Sequence, residues 1–230
     1  MTASVRVKIC GIRRLADAMT AADAGADAVG FNFWRPGRRY VTPEVARQIA
    51  RALPPFVCKV GVFVDEDPVT VCEIAGLVRL DALQLHGAES PDVCAAFDLP
   101  VIKSIKVRGP ESLADLGRYR VAGFLLDTHV PGAAAPGGSG RSFDWGLAGR
   151  VRAAGPIIIS GGLTVANVEE AIRRARPYAV DVASGVETDG EKDPSKIRAF
   201  VARVQSWNAA PEAPGPIGVS DNAETGEVRR

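Results

Sequence analysis

A cysteine and an aspartate each close a short apolar run: Val5-Arg6-Val7-Lys8-Ile9-Cys10 leads into Gly11, and Phe124-Leu125-Leu126-Asp127 into the turn-rich stretch 128–132. A thiolate takes a proton and a carboxylic acid gives one, so the two types together suit base and acid work on one small substrate. Neither residue says this alone. Cysteine is often a small buried hydrophobe, and an aspartate at a strand end often caps the next turn. The two side chains meet only if their strands lie side by side in one sheet or face each other across a closed one. Cys58, Cys72 and Cys94 fall inside expected strands or helices and take the plain structural reading.

Two later runs end in glycine: Ile157-Ile158-Ile159-Ser160-Gly161-Gly162-Leu163 and Val180-Asp181-Val182-Ala183-Ser184-Gly185-Val186-Glu187. Glycine lets backbone N–H groups come close to phosphate oxygens, so a pair of such turns on adjacent strands points to a phosphate site. Pro136-Gly137-Gly138-Ser139-Gly140-Arg141 is no Walker loop, because no Lys-Ser/Thr follows its glycines. It lies in a long connection, 128–142, of the length expected for a loop that covers a site. Arg35, Arg38 and Arg39 crowd the second loop, either as a solvated basic turn or as a clamp for a substrate carboxylate. His86, closing Leu83-Gln84-Leu85-His86-Gly87, reads as a hydrogen-bonded wall residue.

The elements that must position these groups follow from period. Candidate strands at 5–10, 27–33, 57–64, 81–86, 101–106, 123–127, 157–160 and 179–184 alternate with helix candidates at 15–24, 43–52, 68–76, 90–97, 111–117, 144–152, 165–175 and 194–207. Thr42-Pro43, Asp67-Pro68, Ser90-Pro91 and Asp193-Pro194 are helix starts. Such alternation predicts an α/β fold with a parallel sheet, and eight units fit a single-domain (β/α)8 barrel over 1–207. An open doubly wound sheet is the rival, but no G-x-G-x-x-G follows the first strand. In a barrel every strand end opens on one face, so Cys10, His86, Asp127, Ser160 and Ser184 would share a mouth. Within strands, Val5, Val7 and Ile9 face one side and Arg6, Lys8 and Cys10 the other. Residues 208–230 change character, with Pro211, Pro214 and Pro216 and no apolar period, and read as a disordered tail.

Composition sets limits. At 230 residues the chain can bury roughly 70% of its unfolded surface and needs no staples. Lys plus Arg number 28 against 27 Asp plus Glu, and no basic stripe suggests a nucleic-acid partner. Four cysteines without C-x-x-C and only two histidines match no zinc site and no secreted disulfide scaffold, so no metal is expected and the thiols suit a cytoplasm. No apolar run approaches the about 18 residues of a membrane span.

Lys8-Ile9-Cys10-Gly11, Ala28-Val29-Gly30-Phe31, Arg39-Tyr40-Val41, Gln84-Leu85-His86-Gly87, Leu126-Asp127, Gly137-Gly138-Ser139-Gly140, Ser160-Gly161-Gly162-Leu163 and Ser184-Gly185-Val186-Glu187 together resemble the phosphoribosylanthranilate isomerase family of tryptophan biosynthesis. The resemblance runs from about Val5 to Val204. It implies a ribulose-phosphate-binding type of barrel and an Amadori rearrangement of N-(5-phosphoribosyl)anthranilate, without cofactor or metal, in a monomer or homodimer. By motif, Cys10 is the expected base, Asp127 the expected acid, and Arg39 the expected holder of the anthranilate carboxylate. Gly161, Gly162, Ser184 and Gly185 correspond to the phosphate turns, and Asp181 to a contact with sugar hydroxyls. Ala183 departs from the family, which often has a second serine there. A base of this kind should have a depressed thiol pKa, helped by a cationic substrate and a helix start. Two rivals remain: a histidine-pathway or dual-specificity isomerase, which would want a second glycine pair after strand three and an aspartate in place of Cys10, and a non-catalytic sugar-phosphate-binding barrel.

Overall fold

Apolar runs that alternate in facing need cover on both sides, and the chain supplies it by closing on itself. In the computed structural model, which describes residues 4–128 and 145–210, eight parallel strands form a closed barrel in chain order. They are β1 (Arg6–Cys10), β2 (Ala28–Asn32), β3 (Cys58–Phe63), β4 (Ala82–Leu85), β5 (Val101–Val107), β6 (Gly123–Thr128), β7 (Ile157–Ile159) and β8 (Ala179–Val182). Each lies within two residues of its expected span. The seam is the pairing of β1 with β8, which sets Lys8 opposite Asp181.

The α-helices are α1 (Leu15–Ala24), α2 (Pro43–Ala52), α3 (Pro68–Val78), α4 (Pro91–Ala95), α5 (Val168–Ala175) and α6 (Pro194–Ala209). The expected starts hold because each supplies both a proline and a side-chain cap. Thr42 accepts from the Val45 N–H, Asp67 from Thr70, Ser90 from Val93, and Asp193 from Ser195 and Lys196. The segments expected as helices at 111–117 and 144–152 are instead 3-10 turns, Pro110–Leu113, Leu116–Arg118 and Trp145–Ala154. Leu113 and Leu116 are both buried and three residues apart, a spacing that suits three residues per turn. With Gly117 next, the segment is too short to bear the cost of an α-helical nucleus.

One further element was not expected. A hairpin pairs β9 (Glu187–Thr188) with β10 (Glu191–Lys192) through a two-residue turn, Asp189-Gly190, both at positive φ. That turn chemistry favours a tight hairpin. It sets Lys192 opposite Glu187.

Two cores result. Ile9, Val29, Phe31, Leu126, Ile159 and Val180 join Ile197, Phe200, Val201 and Val204 of α6 in the layer between strands and helices. Leu125, Ile158 and Ala179, with Ile102, plug the barrel axis as a separate cluster. Two residues further along their strands come Asp127, Ser160, Asp181 and Ser104, so strand alternation stacks a polar layer on the apolar plug. Among the described residues no helix is long and apolar enough to cross a membrane. The glycine-rich connection after Thr128, His129, and the chain from residue 211 lie outside the described residues.

Phe200 is fully buried on α6, the helix that packs on α1 and α5. Phe200→Ala should cost about 3–5 kcal/mol, read as a fall in the urea midpoint at unchanged m-value. An unchanged midpoint would mean that α6 contributes little to closure.

Candidate active site

Cys10 ends β1 opposite Gly30, where a Cβ would stand 2.9 Å from the sulfur. The barrel wall therefore leaves the thiol room on its inner side. Gly11 follows at φ +80, and any side chain there would collide with the Arg39 Cδ. The stem of Arg39 thus lies over the turn that ends β1, which brings a guanidinium to the cysteine's strand end. Its Nε and Nη2 grip Glu187, at 2.7 Å to Oε1 and 3.0 Å to Oε2. Arg38 Nη2 at 2.8 Å and Lys192 Nζ at 2.9 Å hold the same carboxylate. Burial pushes the Glu187 carboxyl up, but Arg39 and Lys192 outweigh it and hold it below the ordinary range. Arg35, the remaining arginine of that loop, is exposed and lies 5.8 Å over the Tyr40 ring.

In the free protein, without the cationic substrate of the sequence-based expectation, the Cys10 thiol is raised above its ordinary range. Burial is the largest cause; Lys8 and Lys192 act against it, and Asp181 adds to it. The Lys8 charge is shared with a carboxylate. Lys8 Nζ lies 2.7 Å from Asp181 Oδ1, with both side chains about 5% exposed. The lysines still act on the sulfur more strongly than Asp181 does, and it is burial that outweighs them.

Asp127 is the next-to-last residue of β6 and is buried. In the ring β6 is separated from β1 by β7 and β8, so the acid and the thiol stand across the mouth rather than side by side. His86, just past β4, brings its Nε2 to 3.3 Å from Asp127 Oδ2. It is a hydrogen-bonded wall residue at Nδ1, and it also borders the acid.

The glycine turns come together too. Gly161 and Gly162 have φ +79 and +67, a path that side chains resist. Their N–H groups donate to no acceptor among the described residues. Gly185, in the turn Ser184–Val186, packs so closely on Leu163 that a Cβ would collide with the Leu163 carbonyl oxygen. Asp181 lies deeper: Lys8 holds one oxygen, and Ser160 Oγ donates to the other at 3.2 Å. A cleft lined by Arg47, Arg51 and Arg79, at the far ends of α2 and α3, contains none of these residues.

Sequence reasoning passed over Lys8, Gln84, Glu187 and Lys192. Lys8 was readable, since alternation puts it on the same side as Cys10. The Asp189-Gly190 turn was the available signal for Lys192.

With this geometry, the chain matches the family model described as N-(5′-phosphoribosyl)anthranilate (PRA) isomerase over residues 7–203. It is 54% identical over 198 residues to the N-(5′-phosphoribosyl)anthranilate isomerase of Desulforudis audaxviator, covering 85% of this chain and 95% of that one. The crystal structure of the Thermotoga maritima phosphoribosyl anthranilate isomerase superposes with a TM-score of 0.82 at 44% identity, covering 88% and 99% of the two chains. A crystal structure of a phosphoribosyl anthranilate isomerase in complex with reduced 1-(o-carboxyphenylamino)-1-deoxyribulose 5-phosphate superposes with a TM-score of 0.78 at 42% identity, again covering 88% and 99%.

Iodoacetamide labelling of Cys10 in the free protein, followed by peptide mass spectrometry, should be slow at pH 7. It should accelerate only above the ordinary thiol range, about pH 8.5. Brisk labelling at pH 7 would mean that the two lysines prevail over burial.

Proposed function

The chain belongs to the N-(5′-phosphoribosyl)anthranilate isomerase family and is an isomerase of tryptophan biosynthesis, and from that premise we propose that Cys10 is its base and Asp127 its acid. The observation that carries this is the placement of the two groups across one barrel mouth that also holds the glycine turns and Arg39. The substrate is N-(5-phosphoribosyl)anthranilate and the product 1-(2-carboxyphenylamino)-1-deoxyribulose 5-phosphate.

Asp127 gives its proton to the ring oxygen as the anilino nitrogen pushes electrons toward C1, and the C1–O bond breaks to leave a protonated Schiff base. Cys10 as thiolate removes the proton on C2, and the electrons flow to the nitrogen to give an enolamine. Protonation at C1 with loss of the enol proton yields the amino ketone. The positive charge of the Schiff base appears when the thiolate is needed, which offsets the burial that keeps the free thiol protonated. Neither metal nor organic cofactor enters these steps.

Gly161, Gly162, Ser184 and Gly185 hold the phosphate through backbone N–H groups, supported by the positive φ of the first pair. Arg39, set in place by Glu187, keeps Nη1 outside that pair for the anthranilate carboxylate. Asp181 acts from below the sugar. A cytoplasmic setting is supported by four free cysteines, with no disulfide needed.

Phosphoribosylanthranilate generated in situ loses its fluorescence on turnover, which tests the assignment directly. Cys10→Ser and Asp127→Asn should each lower kcat by roughly 10²–10⁴-fold while product still binds; near-normal kcat in either would reject the roles. Arg39→Lys keeps the charge but not the planar fork, so KM should rise by about tenfold to a hundredfold with kcat moving less. An unchanged KM would place the carboxylate elsewhere.

A further inference from the structure

A chain of contacts crosses the barrel interior below the mouth, and it controls one hydrogen atom. Lys8 Nζ, held by Asp181, donates to Gln84 Oε1 at 2.9 Å. An ammonium has only donors, so the amide must turn its oxygen toward Lys8. Its NH2 then faces the other way, 2.9 Å from His86 Nδ1. Ser104 Oγ stands 2.9 Å from the same nitrogen and 3.3 Å from the Gln84 Nε2. Ser104 Oγ could accept from an Nδ1–H, but that proton would also face the amide hydrogens of Gln84, so the geometry favours Nδ1 as the acceptor. A neutral imidazole carries one N–H, which is therefore on Nε2.

That Nε2 is buried and lacks a well-aligned hydrogen-bond partner among the described residues. The nearby acceptor is Asp127 Oδ2 at 3.3 Å, close enough for a contact but poorly directed. Catalytic hydrogen bonds are commonly long in free enzymes and tighten when substrate binds. We infer that Gln84 is a positioning residue: pinned by Lys8, it locks His86 as the Nε2–H tautomer, whose hydrogen bond to Asp127 Oδ2 leaves the acid's own proton on Oδ1 for the substrate. The inference rests on Asp127 being the acid. It gives the Lys8–Asp181 pair a reach from the base on β1 to the acid on β6.

The chain contains only two histidines, His86 and His129, so a long-range ¹H–¹⁵N correlation spectrum of the full-length ¹⁵N-labelled protein separates them once His129→Asn identifies its own signals. In its neutral form His86 should show the Nε2–H pattern. Gln84→Glu offers Nδ1 an acceptor instead of a donor. It should move a proton onto Nδ1 and lower kcat by about tenfold to a hundredfold, with KM little changed. His86→Gln keeps an N–H near the Nε2 position and should retain most of kcat, whereas His86→Leu should lose it to a similar degree as Gln84→Glu. An Nδ1–H pattern in the unmodified protein, a tautomer insensitive to Gln84→Glu, or full kcat in His86→Leu would overturn the proposal. Full kcat in Asp127→Asn with the Nε2–H tautomer intact would instead reject the acid assignment alone.

Discussion

The Lys8–Asp181 pair sits on the seam between the first and last strands, where the two residues are paired in register. Taking two charges out of water costs several kcal/mol per ion, which their attraction offsets only when the remaining hydrogen-bonding groups are also satisfied. Here they are. Gln84 takes a second Lys8 proton, and Ser160 donates to the second Asp181 oxygen. Removing either ion would leave the other buried and unmatched inside the closed sheet. Closure of the barrel and the electrostatics of its mouth therefore depend on the same two side chains.

Charge matching recurs one layer out. Glu187 collects Arg38, Arg39 and Lys192 on a single carboxylate, and the β9–β10 hairpin delivers one of those cations. Of the cations that act on the Cys10 sulfur, Lys8 is paired with Asp181, whereas Lys192 shares Glu187 with Arg38 and Arg39. Burial nevertheless outweighs both lysines and raises the resting thiol. A raised thiol disfavours the thiolate, the form most open to oxidation.

Much of the architecture was legible because it depends on local chemistry. Strand positions follow from apolar runs, and the starts of α2, α3, α4 and α6 from a capping residue followed by proline. The segments misread were those where local signals conflict. Between β5 and β6, Leu113 and Leu116 fit a helical face, but Gly117 and the short length leave only 3-10 turns. At Cys10 the depression expected beside a cationic substrate and a helix start is absent from the free protein, where burial raises the thiol.

The sequence by itself determined which residue types stand at strand ends, which side of each strand they face, and, through motifs spread along the chain, the family. Alternation in β1 was enough to put Lys8 and Cys10 on one side. Only the tertiary structure decided partners. Lys8 meets Gln84 across 76 residues and Asp181 across 173, and Arg39 meets Glu187 across 148. Local patterns carry facing but not the order of strands around a ring, and these contacts exist because eight strands close in register. Which nitrogen of His86 carries its proton is likewise a property of that closure, set by a lysine on another strand.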